Sequence, residues 1–247
     1  MITIKSSSEL NIMRQSGKIL SKTFELLQTH IKPGVTTGEL DNMAKDFMSK
    51  NNSYPTFLNY NGFPRSICIS IDEEVVHGIP SKRKLADGQI VSVDVGVNFE
   101  GFNTDAARTY AVGEISKEKQ KLIDVTEQCF FEAIKDLKAG SRVGDIGRAI
   151  ESYAKSFGYG VVRALVGHGV GRSLHEDPQI PNYKTSSQGE RLKSGMTLAI
   201  EPMINMGTYD VDWLNDGWTV VTLDKKPSAH YENTVIITDD GVEIITL

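Results

Sequence analysis

Five carboxylate and imidazole side chains stand in five short, distinctive segments of this chain. They are Asp94 in SVDVG, Asp105 in NTDAA, His168 in GHGVG, Glu201 in IEPM and Glu232 in HYENT. Four carboxylates and one imidazole suit hard or borderline divalent cations better than a lone zinc. Two such cations close together are a common means of generating and aiming a hydroxide. The donor set therefore points to a dinuclear metallohydrolase, if the fold brings the five together.

The spacing says how it would. Gln89–Val97 and Gly101–Val112 read as strands flanking the turn Asn98-Phe99-Glu100-Gly101. A hairpin symmetric about that turn sets Asp94 directly opposite Asp105. Opposed carboxylates with Cβ atoms roughly 5 Å apart repel, unless a shared proton or a cation lies between them. The bland alternative is a bulge, or one aspartate turned to solvent. His168 and His175 lie in GHGVGRSLHEDP. A continuous helix would separate them by about 10 Å, and a strand would put them on opposite faces, so they are not expected to share one ion. One is expected on metal and the other on substrate. Gly167, Gly169 and Gly171 are expected to permit tight backbone and close approach of a ligand. Glu201 interrupts the apolar run MTLAIEPMI, where Pro202 marks an edge or a strand end. Glu232 opens ENTVIIT, with His230 on its face by alternation. Either glutamate alone reads as a solvated strand position; the set of five carries the reading. No GxSxG elbow or Cys/His pairing supports covalent catalysis, and no Walker A or strand-following GxGxxG supports nucleotide binding.

Helices and strands must position these groups. Ser6 and Glu9 form a capping box, and Leu10, Met13, Gly17, Leu20, Phe24, Leu27 and Ile31 follow at helical spacing up to Pro33-Gly34. Thr36 and Glu39 open a second helix that buries Leu40, Met43, Ala44 and Phe47. A similar pair recurs: Leu122, Val125, Cys129, Ile134 and Leu137 mark one helix, and Ile146, Ala149, Ile150, Tyr153 and Phe157 the next. Aligning the two turns matches Lys32 with Lys138, Gly34 with Gly140 and Gly38 with Gly144. Strands are expected at Ser66–Ile71, Met196–Ile204, Trp218–Thr222 and Glu232–Thr238, the last in a hairpin with Val242–Thr246 across Asp239-Asp240-Gly241. Helices then strands, twice, predict an α+β fold of two related halves in one compact domain over residues 1–247.

Composition bounds the partners. Apolar and charged contents of 39% and 24% are those of an ordinary soluble protein. A formal net charge of -5, with scattered lysines and arginines, argues against a nucleic-acid surface. Cys68 and Cys129 have no metal-finger spacing, and Cys129 reads as a buried small hydrophobe. Neither a signal-peptide core nor a membrane span is expected, so the expected compartment is the cytoplasm.

Taken in order, CISIDEEVVHGIP, SVDVG, NTDAARTY, GHGVGRSLHEDPQIPNY, LAIEPM, DGWTVVT and HYENTVIIT resemble the motifs of type I methionine aminopeptidases, across essentially the whole chain. The resemblance implies the pita-bread fold, with two pseudo-symmetric halves around a metal site. It implies two divalent ions per chain, of cobalt, manganese, iron or zinc. Asp94 would chelate one, Asp105 and Glu232 would bridge both, and His168 and Glu201 would complete the second. It further implies that Glu201 shuttles protons and His175 bonds the substrate carbonyl, while His77 lies near the scissile nitrogen. Tyr60, Phe63, Cys68, Leu174 and Trp218 would form the methionine pocket. The implied substrates are nascent polypeptides with a small second residue, and the implied state is a monomer; ribosome contact is left open. Thr104, Leu174, Val76 and Asn233 depart from residues common in the family, and at Asn233 the departure bears on metal affinity. An X-Pro peptidase of the same fold is the alternative enzyme, and a binding protein that has abandoned catalysis the alternative class. Retention of all five ligands argues against the latter.

Overall fold

Local sequence rules place the helices. In the computed structural model, which describes residues 2–247, helix α1 (Ser7–Gln28) opens on the expected box: the Glu9 amide donates to Ser6 Oγ and the Ser6 amide to the Glu9 carboxylate. Helix α2 (Thr37–Lys50) opens the same way on Thr36 and Glu39. α1 ends at Gln28, short of the proline, and Ile31 packs from the loop beyond. The buried stripe of α2 runs through Leu40, Ala44 and Met48, which leaves Met43 and Phe47 only partly covered. Helices α3 (Lys117–Ile134) and α4 (Val143–Ser156) form the second pair. Leu137 is buried from the turn between them, whereas Phe157 lies exposed beyond the end of α4.

The predicted internal repeat is present in the backbone hydrogen bonds. Gly34 and Gly140 donate to the carbonyls of Leu85 and Leu192, Thr37 and Val143 to those of Arg83 and Glu190, and Gly38 and Gly144 to those of Ser81 and Gln188. Gly34 and Gly140 both take the left-handed backbone, with φ of 93° and 98°. The same three tethers therefore anchor each helix pair to its own half.

Nine antiparallel strands make the central sheet. Its main path runs Tyr54–Pro55, Gln89–Phe99, Phe102–Val112, Glu232–Ile237, Thr197–Ile200, Gly167–Gly169, Glu176–Ile180. Cys68–Ile71 joins the Gln89–Phe99 strand, and Val242–Ile244 forms the expected hairpin with Glu232–Ile237. Val91, Val93, Val95 and Val97 pack with α1 and α2, while Leu198, Ile200, Val235 and Ile237 pack with α3 and α4. All four helices thus lie behind the sheet. The residues that alternate with these apolar ones, Asp94 and Glu201 among them, face the other way.

Two strand predictions need correction. Met196–Ile204 is not one strand but two, Thr197–Ile200 in the central sheet and Met203–Asn205 in a small sheet with Ser228–His230. The break falls at Glu201-Pro202, where proline removes a ladder donor. The central hairpin is also two residues out of the expected register. Its loop is Glu100-Gly101, with φ of 50° and 81°, and Phe99 pairs with Phe102. Asp94 therefore pairs with Ala107, and Asp105 with Gly96. The two aspartates are diagonal neighbours rather than an opposed pair. Since side chains alternate with a period of two, a shift of two leaves both on the same face.

Candidate metal centre

Five consecutive strands of the sheet each bring one expected ligand. Asp94 lies on Gln89–Phe99, Asp105 on Phe102–Val112 and Glu232 at the start of Glu232–Ile237. Glu201 follows Thr197–Ile200, and His168 is the middle residue of Gly167–Gly169. The register makes two adjacent rows. Ala107 pairs with both Asp94 and Glu232, so its methyl group is all that fills the row between their carboxylates. In the neighbouring row, Asp105 pairs with Gly96, while Ala199 pairs with both Thr234 and His168. The Asp105 amide donates to Thr234 Oγ1, which ties that row together. Small residues between the ligands leave the room that the carboxylates need.

The cluster is buried and under-bonded. His168 Nε2 stands 3.5 Å from Glu201 Oε1 and 3.9 Å from Asp105 Oδ2. Its Nδ1 lies 2.9 Å from the Gly169 carbonyl, the arrangement that frees the Nε2 lone pair for the cluster. Asp94 Oδ1, Asp105 Oδ1, Glu232 Oε1 and both ring nitrogens of His230 are buried without a hydrogen-bond partner among the described residues. Two groups of potential ligand atoms, each within 4.8 Å of one another, emerge: Asp94, His230 and Glu232, and Asp105, His168 and Glu232. Glu232 is common to both. Such unbonded carboxylates fit divalent cations, whose charge and coordination would answer both the repulsion and the missing bonds.

His230 is the member that sequence reasoning left without a role. Its Nε2 is 3.7 Å from Glu232 Oε2 and 3.8 Å from Glu201 Oε2, and the residue is 1% exposed. Alternation had set it on the face of Glu232, although the two lie on strands of different sheets. The two histidines at 168 and 175 are also closer than regular structure would allow. Residues 170–175 fold back as the loop of a hairpin, and the rings meet edge to face with centroids 4.3 Å apart. The glycines around His168 admit neighbouring backbone rather than a ligand. A Cβ on Gly167 would come 2.5 Å from the Ala199 carbonyl oxygen, and one on Gly169 2.2 Å from that of Asp177.

A cavity of about 240 Å³ opens onto the cluster. All five expected ligands line it, together with His77, His175, Tyr60, Phe63, Cys68, Leu174 and Trp218. Phe57 and Asn61 line it too, and nothing in their sequence context had distinguished them. Its apolar wall is one cluster: Phe57, Phe63, Cys68 and Leu174 are buried, with Tyr60 and Trp218 packed against them. Phe63 and Trp218 meet edge to face at 5.1 Å. Tyr60 Oη bonds His175 Nδ1 at 2.7 Å. His77 holds a left-handed backbone, with φ of 61°, and such strain in a non-glycine residue is concentrated at functional sites. A second, larger cleft of about 860 Å³ shares His168 and His175 and is otherwise lined mainly by polar residues such as Glu9, Arg172 and Gln179.

The departures at Thr104 and Asn233 point away from this cavity. Thr104 Oγ1 lies 2.8 Å from Ser16 Oγ on α1. Asn233 Oδ1 accepts from Arg108 Nη2 and Thr246 Oγ1, and Arg108 also donates to the Glu232 carbonyl. Asn233 thus helps to hold the backbone of Glu232 rather than facing the cluster. Val76 is buried in a separate apolar cluster with Val162, Met203 and Val220.

The cavity wall hangs on one carboxylate. Asp41 of α2 accepts the Ser66 and Ile67 amides at 2.7 and 3.1 Å, just before Cys68 enters the sheet. Asp41→Ala would leave two buried donors unpaired. It is expected to lower the unfolding free energy by about 2–4 kcal/mol, read by urea denaturation. A loss below about 0.5 kcal/mol would mean that the loop has other adequate support.

The comparisons with known proteins agree with this chemistry. The model of metallopeptidase family M24 matches residues 11–239. A methionine aminopeptidase of Clostridium acetobutylicum is 54% identical, over 100% of this chain and 99% of its own. Methionine aminopeptidase 1 of Bacillus subtilis is 50% identical over equally complete lengths. The crystal structure of methionine aminopeptidase from Rickettsia prowazekii superposes with a TM-score of 0.98, at 44% identity and 100% coverage of both chains. The chain belongs to metallopeptidase family M24, in its type I methionine aminopeptidase branch. Its fold is accordingly the pita bread, α+β, with the helices outside the sheet.

Electrostatics in this M24 centre yields a pH dependence. Burial, then the neighbouring carboxylates, pushes Asp94, Glu201 and Glu232 well above the usual carboxylate range, and burial takes Asp105 to about 7. Burial holds His77 down at about 4, and His168 and His230 at about 3. The Cys68 thiol is pushed up by burial and then by Asp94, so it stays protonated. The folded carboxylates keep protons that the unfolded chain releases above roughly pH 4, so stability falls as pH rises through their folded values. The histidines act oppositely: the unfolded chain gains protons below about 6.5 that the folded one refuses. Above that pH only the carboxylates contribute. In chelator, the melting temperature is expected to fall between about pH 6.5 and 8.5, and Mn(II) should abolish that fall. A flat profile in chelator would contradict the assignment of these groups.

Proposed function

We propose that this chain removes methionine from the free N-terminus of polypeptides whose second residue is small, acting as one catalytic unit over residues 1–247. The observation that carries this reading is the row of five strands, each bringing one ligand to a cavity with one apolar wall. Nascent chains are the proposed source of such substrates, which makes the cytoplasm the expected compartment. No helix among the described residues is long and apolar enough to cross a membrane.

Asp94, Asp105, His168, Glu201 and Glu232 would hold two divalent ions, with manganese, iron, cobalt or zinc all compatible with the donors. Bound there, the ions would act as Lewis acids on the first peptide carbonyl and lower the pKa of the attacking water. The chain's own groups do the rest. Asp94, at the edge of the cluster beside Cys68, receives the substrate's α-amine and restricts cleavage to the first residue. Glu201, whose carboxyl is pushed up by burial and by Asp105, accepts the proton lost in the attack and passes it on. Tyr60 Oη lies 2.7 Å from His175 Nδ1; with the tyrosine as donor, the ring proton is on Nε2, ready for the carbonyl oxygen. His77 assists departure of the amine. The apolar wall takes the thioether side chain, with Trp218, Phe63 and Tyr60 offering ring contacts to sulfur.

Leu174 is buried in that wall. Leu174→Phe narrows the pocket and is expected to raise the preference for Met-Ala-Ser over Leu-Ala-Ser about tenfold in kcat/KM, since pocket shape is worth roughly 1–3 kcal/mol per methylene. An unchanged ratio would place selectivity elsewhere. The reading as a whole is tested by following residue release from Met-Ala-Ser and Ala-Pro-Ala, after chelation and after restoring Mn(II), Fe(II) or Co(II). Metal-dependent cleavage of the methionyl peptide alone supports it. Cleavage of the prolyl peptide moves the chain to X-Pro chemistry, and cleavage of neither refutes the activity.

A further inference from the structure

The five-ligand arrangement leaves one buried imidazole unused. His230 sits at the inner end of Ser228–His230, where the chain passes from a small sheet into the central one. Its backbone is held on both sides by Thr109, whose hydroxyl lies 2.9 Å from the His230 amide and 2.9 Å from its carbonyl. Its ring has no such commitment, since neither nitrogen has a hydrogen-bond partner among the described residues. A neutral imidazole carries one donor and one lone pair, and burying both unpaired is costly. Nε2 nevertheless points between two carboxylates, at 3.7 Å from Glu232 and 3.8 Å from Glu201. Those distances are too long for hydrogen bonds. The 3.7 Å to Glu232 is close to the roughly 3.4 Å that separates two donors bound at about 2.1 Å to one tetrahedral ion. On the other side of the cluster, the expected ligand His168 shows the same spacing, 3.5 and 3.9 Å to its carboxylates.

We infer that His230 is a second imidazole ligand of the metal pair, on the ion held by Asp94 and Glu232. Each of the two groups of converging ligand atoms then contributes one histidine, His230 beside Asp94 and His168 beside Asp105, and Glu232 belongs to both groups. The inference rests on the dinuclear reading above and changes its character. Replacing oxygen by nitrogen around one ion moves that site toward borderline cations such as Co(II), Fe(II) and Zn(II), and away from Mn(II). One of the two ions is therefore held more selectively than an all-oxygen site would hold it.

Metal alone is a sufficient probe. The full-length protein is loaded with Mn(II), its stoichiometry is measured by titration, and coupled histidine nitrogens are counted by pulsed EPR with and without ¹⁵N-histidine labelling. Two ions with two coupled imidazoles are expected in the parent, and one imidazole in His230→Gln. The same substitution is expected to lower the Co(II)-to-Mn(II) affinity ratio about tenfold or more. Two bound ions with a single coupled imidazole in the parent would overturn the inference while leaving the dinuclear reading intact. Failure of the cluster to bind two ions would overturn both. The parent measurement decides the matter even if the variant does not fold.

Discussion

Asp105→Asn is expected to abolish turnover, with kcat/KM reduced by at least ~10³-fold, and to reduce metal loading below two ions per chain. The change is isosteric, and the residue's backbone stays anchored through Thr234, so the sheet has no reason to rearrange. What changes is charge. Asp105 is buried next to three other carboxylates, whose raised proton affinities include its own charge among their causes. Removing that charge relieves the repulsion that a cation would otherwise balance. The variant should therefore be more stable than the parent in chelator at pH 8, read as a higher melting temperature, and should gain less from added metal. An inactive variant that was also less stable in chelator would indicate a structural role. Full activity would remove Asp105 from the site altogether.

The parts of this architecture that were legible in the sequence are those set by local rules. Ser6 with Glu9 and Thr36 with Glu39 announce helix starts because capping needs only residues three apart. The facing of Asp94 and Asp105 was legible because alternation survives a register error of two. The register itself was not, because it depends on Glu100 adopting a left-handed backbone that its side chain does not advertise. The approach of His175 to His168 was hidden for another reason: the intervening loop closes only against neighbouring strands. His230 was hidden because the strand breaks at Tyr231, between two sheets, and no single periodicity spans such a junction. The small residues Gly96, Ala107 and Ala199 beside the ligands were in plain sight. Their meaning, as spacers across a row of carboxylates, appears only once the strand order is known.

His175→Ala is expected to lower kcat by about 10²–10³-fold, the usual cost of losing one donor to a developing oxyanion, while leaving two ions bound. The geometry separates His175 from the ligands in two ways. It is exposed where His168 is buried, and its Nδ1 is already engaged by Tyr60. A ring so held presents one nitrogen to whatever occupies the cavity, and with tyrosine as donor that nitrogen carries the proton. The effect should therefore fall on kcat more than on KM, because the bond tightens as charge develops on the carbonyl oxygen. Tyr60 lines the same cavity and bonds the same ring, so its hydroxyl is coupled to this step rather than additive with it. Metal content and activity falling together in His175→Ala would place the histidine among the ligands instead, and a rise confined to KM would make it a binding residue.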